Sequence, residues 1–241
     1  MKAILAAFAL LLAAPATAVE FKDVQFADTH ATTVLVDPAR EHLRLFLADG
    51  DGTPFRRFDT LAAWLGKRHA TLLFAMNAGM YEPDRRPVGL FVADGKTVAP
   101  LNTADGSGNF YLKPNGVFYL RKNGTAAIAE TSRYAKLTEP VILATQSGPL
   151  LVEDGVIHRG FDPQSKSRLV RNGVGITAKG KVVFAISEGP VSFHEFASFF
   201  RDQLHCRNAL YLDGVVSSLY APARKRNDAR AELGPMIGVV H

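Results

Sequence analysis

The chain has very little cysteine. Cys206 is the only cysteine in 241 residues, so no disulfide can form within the chain and stability must come from a packed core. Because Cys206 follows a phenylalanine-rich segment, we expect it to be a small buried apolar residue and not a reactive thiol. The composition, 47% hydrophobic and 21% charged, suits one sizeable domain and excludes a disordered or fibrous chain.

Several common site motifs are also missing. The sequence has no P-loop, no GxSxG nucleophile elbow and no dinucleotide-binding fingerprint. The histidines His158, His194 and His205 form no HxxxH or HxH pair of the kind that binds zinc, and we expect His194 to be a surface or structural residue. No metal site is assigned. Calcium or magnesium, which prefer oxygen ligands, would suit Asp213 and Asn77, although no ligand spacing requires a divalent cation.

Long apolar runs are confined to the first residues. Lys2 precedes an apolar segment over Ala3–Ala14, and Pro15–Ala18 ends in an A-x-A pattern. This order predicts a signal peptide over residues 1–18, a mature chain from Val19, and a periplasmic or secreted location. The run is too short to span a bilayer, and no other stretch is apolar enough to be a membrane helix.

Positive charge exceeds negative charge. The formal net charge is +5, and part of the excess clusters at Arg224-Lys225-Arg226 and Arg230. Export argues against nucleic acid as the partner. The cluster is either a solvated loop or a contact for an anionic envelope polymer, a phosphorylated glycan or a lipid surface.

Short apolar runs separated by turn dipeptides make up most of the chain, and Asn123-Gly124 and Lys179-Gly180 are typical of hairpin turns. A short helix is predicted over Thr60–Leu65, with Asp59 or Thr60 as its cap. With no linker or repeat, residues 19–241 are predicted to form a single α+β domain with mixed, mainly antiparallel β-sheets and a few inserted helices.

The segment from Ser192 to Tyr220 is the most informative. Ser192 and Glu195 form a capping-box pattern, and apolar residues at helical spacing predict about three turns over Phe193–Leu204. Cys206–Asn208 breaks this pattern, and Ala209–Leu212 predicts a buried strand that delivers Asp213 and Gly214. The pair is either a site at a strand end or an ordinary Asp-Gly turn.

Other polar side chains also stand beside a glycine where a strand is predicted to end. A glycine allows close backbone approach, so together these motifs predict a cleft for a sugar or a phosphate. The motifs are Asn77-Ala78-Gly79, Asn115-Gly116, Gln146-Ser147-Gly148, Arg171-Asn172-Gly173 and Asp213-Gly214 with Ser217.

These segments resemble the phosphodiester glycosidase family, which includes a lysosomal uncovering enzyme and a bacterial exported branch. The resemblance runs in order along nearly the whole mature chain. It lies in NAGMY (77–81), PVGLFV (87–92), PNGVFY (114–119), QSGPLLV (146–152), RNGVGI (171–176) and NALYLDGVVSSLY (208–220). It implies a hydrolase that cleaves a glycosyl-1-phosphodiester, for example of N-acetylglucosamine, in an envelope or exopolysaccharide glycan.

The resemblance places Asp213, Arg171, Asn77, Asn115 and Ser217 in the active-site region. Asp213 would be the base or nucleophile, with Glu188 either its catalytic partner or an exposed turn residue. Arg171 would clamp the phosphate or form a structural salt bridge.

The remaining site residues would bind or admit the substrate. Asn77 and Asn115 would bond sugar hydroxyls or cap strand ends, and Ser217 would donate to the phosphate. Gly148 and Gly214 would let the backbone approach the ligand.

One departure from the family pattern leaves a second reading open. Val215-Val216 stands where the family often has two glycines, which makes the loop stiffer. A non-catalytic module that binds an anionic or phosphorylated glycan is the alternative to a glycosidase.

Overall fold

The structure is a computed structural model that describes residues 19–241. The predicted signal peptide, residues 1–18, lies outside the described residues. Strands dominate, a few short helices are inserted among them, and the strand pairings are antiparallel. The predicted α+β class with mainly antiparallel sheets is therefore confirmed.

In chain order, the strands are β1 (Val19–Phe26), β2 (Thr29–Val36), β3 (His42–Phe46), β4 (Leu72–Asn77), β5 (Phe91–Ala93), β6 (Lys96–Ala99), β7 (Gly116–Arg121), β8 (Ala126–Glu130), β9 (Val141–Ser147), β10 (Leu150–Glu153), β11 (Val156–Ile157), β12 (Asn172–Thr177), β13 (Val182–Ser187), β14 (Cys206–Asp213), β15 (Leu219–Ala221), β16 (Arg226–Asn227) and β17 (Met236–Val240). The α-helices are α1 (Phe58–Gly66), α2 (Thr131–Tyr134) and α3 (Phe193–Ser198).

The strands form three sheets. The largest has the order β1-β2-β13-β12-β14-β10-β11, and the two five-stranded sheets have the orders β16-β15-β4-β17-β3 and β6-β5-β9-β7-β8. Many neighbours within a sheet are distant in sequence, so long-range pairing decides which strand ends meet.

The three sheets share one core. Phe74 of β4, Phe118 of β7 and Phe184 of β13 are fully buried, and each comes from a different sheet. The ring centroids of Phe74 and Phe184 are 5.1 Å apart, and those of Phe118 and Phe184 are 6.1 Å apart. Such aromatic contacts bury large apolar areas, so this cluster fixes the sheets relative to one another.

The other face of the seven-stranded sheet is covered by α3 and the turn that follows it. Along β14, Leu210 and Leu212 face the shared core, whereas Ala209 and Tyr211 face the helix. This alternation is the two-residue period of a strand. Arg171, just before β12, packs on this helical side, against Phe193.

The helix that begins at Ser192 differs from its prediction in one respect. The capping box is confirmed, because Ser192 Oγ accepts from the Glu195 N–H and the Glu195 carboxylate accepts from the Ser192 N–H. The predicted helix of about three turns over Phe193–Leu204 is present, but it is α-helical only to Ser198 and continues as a π-helical segment over Phe199–Gln203. The wider turn brings Phe200 onto the strand glycine Gly175.

Two other predicted boundaries are wrong. Helix α1 begins at Phe58, earlier than predicted, and its N-cap residue Arg57 provides no side-chain cap. Strand β14 begins at Cys206 and not at Ala209, because Cys206 and Asn208 pair with β12. Cys206 is 2% exposed, which confirms that it is a buried residue.

No helix within residues 19–241 is long and apolar enough to cross a membrane.

Candidate functional site

Asp213 is the last residue of β14, at a point where the strand pairing is irregular. Asn172 of β12 pairs with Asp213, but the next residue, Gly173, pairs with Tyr211, so Leu212 has no partner across the ladder. Such a bulge bends a strand and redirects the side chain that follows it. Asp213 remains partly exposed, and its Oδ1 accepts from the Gly214 N–H at 2.6 Å.

The surroundings of Asp213 make its carboxyl hard to ionise. Burial raises the pKa of Asp213 to about 6, while hydrogen bonds from the Gly214 N–H and the Asn77 side chain act in the opposite direction. Burial and the charge of Asp213 also raise the pKa of Tyr81 to about 12. The site therefore pairs a carboxyl whose pKa is raised with the neutral phenol of Tyr81.

Asn77 ends β4 and is fully buried. Its Oδ1 accepts from Asn172 Nδ2 at 3.0 Å and from the Ser218 N–H at 3.0 Å. Its Nδ2 has no hydrogen bond of good geometry among the described residues, although the amide lies close enough to Asp213 to lower its pKa. The loop after β14 and the end of β4 are therefore joined through one amide.

Ser217 closes the loop that begins at Asp213. Its hydroxyl lies 3.1 Å from the Asp213 main-chain oxygen and 3.3 Å from Asn172 Oδ1, and the side chain is fully buried. Donation to a substrate phosphate would require this hydroxyl to leave both acceptors. The role predicted for Ser217 stays a prediction.

Arg171 is 1% exposed and faces the helix α3 side of the sheet. Its Nε donates to the Val191 carbonyl at 2.8 Å and its Nη2 to the Ser167 carbonyl at 3.3 Å. Its guanidinium lies 3.7 Å from the centroid of the Phe193 ring. Within residues 19–241 it forms no ion pair, so the structural salt bridge is wrong, and its predicted contact with phosphate stays a prediction.

The neighbouring residue, Asn172, was missed as a site residue. Adjacent strand residues point to opposite faces, so only one of Arg171 and Asn172 can reach Asn77, and it is Asn172. The signal was in the sequence, in the Arg171-Asn172-Gly173 motif. Choosing between the two required knowing which face of β12 turns toward β4.

Tyr211 was also missed, because it reads as one apolar residue of a buried strand. Its hydroxyl lies 3.4 Å from Arg171 Nη1, and the Asn109 side chain lies close enough to lower its pKa. Burial raises its pKa well above the usual tyrosine range. A Cβ added at Gly214 would collide with this hydroxyl, so Gly214 is required for the loop to pass over Tyr211.

Asn115 and Gly148 meet at another corner of the fold. Asn115 Nδ2 donates to the Phe110 carbonyl at 2.9 Å, and its Oδ1 accepts from the Thr131 hydroxyl at 2.8 Å. A Cβ at Gly148 would lie 2.6 Å from Asn115 Cβ. Both residues hold the loop that carries Asn109, and their predicted contact with substrate stays a prediction.

Glu188 follows β13 and is engaged elsewhere. Its Oε1 accepts from Arg226 Nη1 and from the Thr32 hydroxyl, and Arg226 also pairs with Asp228. Strand β12 separates β13 from β14, which puts Glu188 about 10 Å to the side of Asp213 at two strand spacings. Catalysis by Glu188 stays a prediction.

The basic run near residue 225 is divided between paired and exposed side chains. Arg224 pairs with Asp23 and Arg226 pairs with Glu188, whereas Lys225 is exposed at a left-handed position with φ 54°.

Among the described residues no group of three or more His, Cys, Asp and Glu side chains could hold a metal ion. Two grooves of about 600 Å³ each are lined by residues other than Asp213.

Comparison with known proteins gives four similarities. A family model described as phosphodiester glycosidase matches residues 70–240. The uncharacterized protein YigE of Escherichia coli strain K12 is 32% identical over 215 residues, which cover 88% of this chain and 84% of that protein.

Two solved structures share the fold. The catalytic domain of zebrafish N-acetylglucosamine-1-phosphodiester alpha-N-acetylglucosaminidase, auto-inhibited by its pro-peptide, matches with a TM-score of 0.69 and 16% identity, over 94% of this chain and 85% of that chain. A hypothetical protein from Synechocystis matches with a TM-score of 0.56 and 17% identity, over 91% of this chain and 61% of that chain.

Proposed function

Because the chain belongs to the phosphodiester glycosidase family, we propose that it is an exported hydrolase that cleaves a glycosyl-1-phosphodiester. Water would add at the anomeric carbon, the bond from that carbon to the phosphate oxygen would break, and a free sugar and a phosphomonoester would leave. We propose an N-acetylglucosamine diester in an envelope or exopolysaccharide glycan as the first substrate to examine. Export rests on the predicted signal peptide.

The observation that carries this proposal is the setting of Asp213. A partly exposed carboxyl whose pKa is about 6 can be ionised at neutral pH and still bind a proton readily, as a general base or nucleophile requires. Such a group suits the oxocarbenium-like transition state of glycosyl transfer to water. The phosphate is already a good leaving group, so the reaction needs less help from a general acid.

Arg171 supplies positive charge beneath the site, and Tyr211 supplies a neutral hydroxyl that contacts it. Arg171 Nη1 donates to the Tyr211 oxygen, so the phenolic proton of Tyr211 is not used in this contact and remains free to donate. The raised pKa of Tyr211 keeps that proton in place. We propose that the Arg171 charge acts on the departing phosphate through this hydroxyl, which is a polarised hydrogen-bond donor.

The test is release of free sugar from a panel of glycosyl-1-phosphodiesters. The native protein should turn over at least one of them, and Asp213→Asn should lower kcat by a factor of about 100 or more, as loss of a catalytic base does. Asp162→Asn is a matched control, because Asp162 also accepts a main-chain N–H but lies exposed on another loop.

Each result separates the candidate functions. Turnover that survives Asp213→Asn would overturn the role of Asp213. Saturable glycan binding by the native protein without turnover of any diester would favour the non-catalytic binding module.

A further inference from the structure

The orientation of the Asn77 side chain is fixed by its partners. The main-chain N–H of Ser218 can only donate a hydrogen bond. The Asn77 side-chain atom that it contacts must therefore be the amide oxygen. Asn172 Nδ2 donates to this same oxygen at 3.0 Å and to the Asn77 carbonyl at 2.9 Å. With Oδ1 committed to these two donors, Nδ2 must point the other way.

Asn172 is itself held in one orientation. Its Nδ2 meets the Asn77 carbonyl, which can only accept, so its other terminal atom is the oxygen. That oxygen lies 3.3 Å from the Ser217 hydroxyl. Asn172 is fully buried, and a flip of its amide would set two oxygens against each other.

The Nδ2 of Asn77 is buried without a well-formed partner and lies next to the Asp213 carboxyl. An unpaired buried donor is costly, so a neighbouring oxygen that can accept from it matters to the site. Asp213 provides such an oxygen, and its carboxylate also accepts from the Gly214 N–H.

We propose that Asn172 is a positioning residue, which holds the Asn77 amide so that its NH₂ group, and not its oxygen, faces the Asp213 carboxyl. Without Asn172 only the Ser218 N–H holds the Asn77 oxygen, so the amide is held less firmly and its NH₂ group faces the carboxyl less of the time. The proposal rests on the proposed role of Asp213 in the reaction, but it concerns the resting protein and needs no substrate.

Other charged and titratable groups also face Asp213 and must stay unchanged in a test. Tyr211 lies on the same strand with Arg171 against its hydroxyl. Tyr81 lies after β4, with Arg85 and Glu232 beside it. None of the hydrogen bonds that the described residues make through these five side chains involves Asn172.

The first experiment is a ¹³C NMR titration of the Asp213 side-chain carboxyl in the native protein and in Asn172→Ala. Weaker donation from the less firmly held Asn77 amide should raise the pKa of Asp213, by at most about one unit, which is the effect of losing one hydrogen bond to a charged group. Thr145→Val is the control. It removes a buried hydrogen bond to the adjacent Ala78 carbonyl but leaves the Asn77 amide alone, so the titration should match the native one.

A second measurement needs no substitution at Asn172. In the native protein the side-chain NH₂ resonances of Asn77, assigned by their loss in Asn77→Ser, should shift with pH at the same midpoint as Asp213. An Asp213 titration that is identical in folded Asn172→Ala and native protein, or Asn77 resonances that ignore the ionisation of Asp213, would overturn the proposal. Failure of the glycosidase assay would leave both NMR results unaffected.

Discussion

Replacement of Asp213 by asparagine should stabilise the protein at neutral pH. The pKa of Asp213 rises from 3.8 to about 6 on folding because burial penalises the charged carboxylate. The folded protein therefore holds this proton more tightly than the unfolded chain does. The resulting stabilisation is fully present below about pH 4 and is lost as the pH rises through 6.

The size of the effect follows from the shift. A change from 3.8 to about 6 corresponds to about 3 kcal/mol at about 1.4 kcal/mol per pKa unit. This is a ceiling, because the asparagine NH₂ introduced at this position would meet the NH₂ of Asn77. Because that contact acts at every pH, we expect Asp213→Asn to be more stable than the native protein by about 1 to 2 kcal/mol at pH 7.5, and less stable by about 1 kcal/mol at pH 4.

The assay is chemical denaturation of both proteins across this pH range. Taking the difference between them cancels the other titrating groups, and Asp162→Asn serves as a surface control. Two results would refute the conclusion that burial penalises the ionised form of Asp213. One is a stability difference that stays constant between pH 4 and pH 7.5, and the other is a native protein more stable than the variant at pH 7.5.

Three further outcomes can be checked with simple measurements. Because burial raises the pKa of Cys206 to about 12, its thiol should react with a chromogenic disulfide reagent only after unfolding, and rapid labelling of native protein would contradict this. Arg226→Ala leaves two partly buried carboxylates without their ion-pair partner and should lower the free energy of unfolding by roughly 2 kcal/mol, whereas a loss under about 0.5 kcal/mol would mean that the pairs are solvated. Gly148→Ala must displace Asn115 or the Phe110 carbonyl and should lower the melting temperature by several degrees. The control is Gly50→Ala, whose Cβ would meet nothing within 4 Å, and its melting temperature should match that of the native protein.

Local chemistry made part of this fold predictable. The capping box at Ser192 needs only two side chains three residues apart, and both hydrogen bonds form. The position of Asp213 at a strand end follows from an apolar run and the glycine after it. Such features depend on neighbours in the chain, so the sequence displays them directly.

Other features depend on partners far along the chain. The ion pair between Glu188 and Arg226 joins residues 38 positions apart, and nothing near Glu188 indicates it. The choice of Asn172 over Arg171 for the inner face depends on the pairing of β12 with β14 across a bulge. The π-helical segment after Ser198 depends on the space that glycines leave on the sheet beneath it.

The position of β17 has a consequence for the order of assembly. This strand, residues 236–240, lies between β4 and β3, which come from residues 72–77 and 42–46. On its other side β4 pairs with β15, which also comes late in the chain. Strand β4 therefore stays unpaired on both edges throughout most of synthesis, and the pairing of Asn77 with Met236 forms only after β17 has been made. A ribosome-bound chain that stops short of this strand should have an incomplete site, however much of the seven-stranded sheet has already folded.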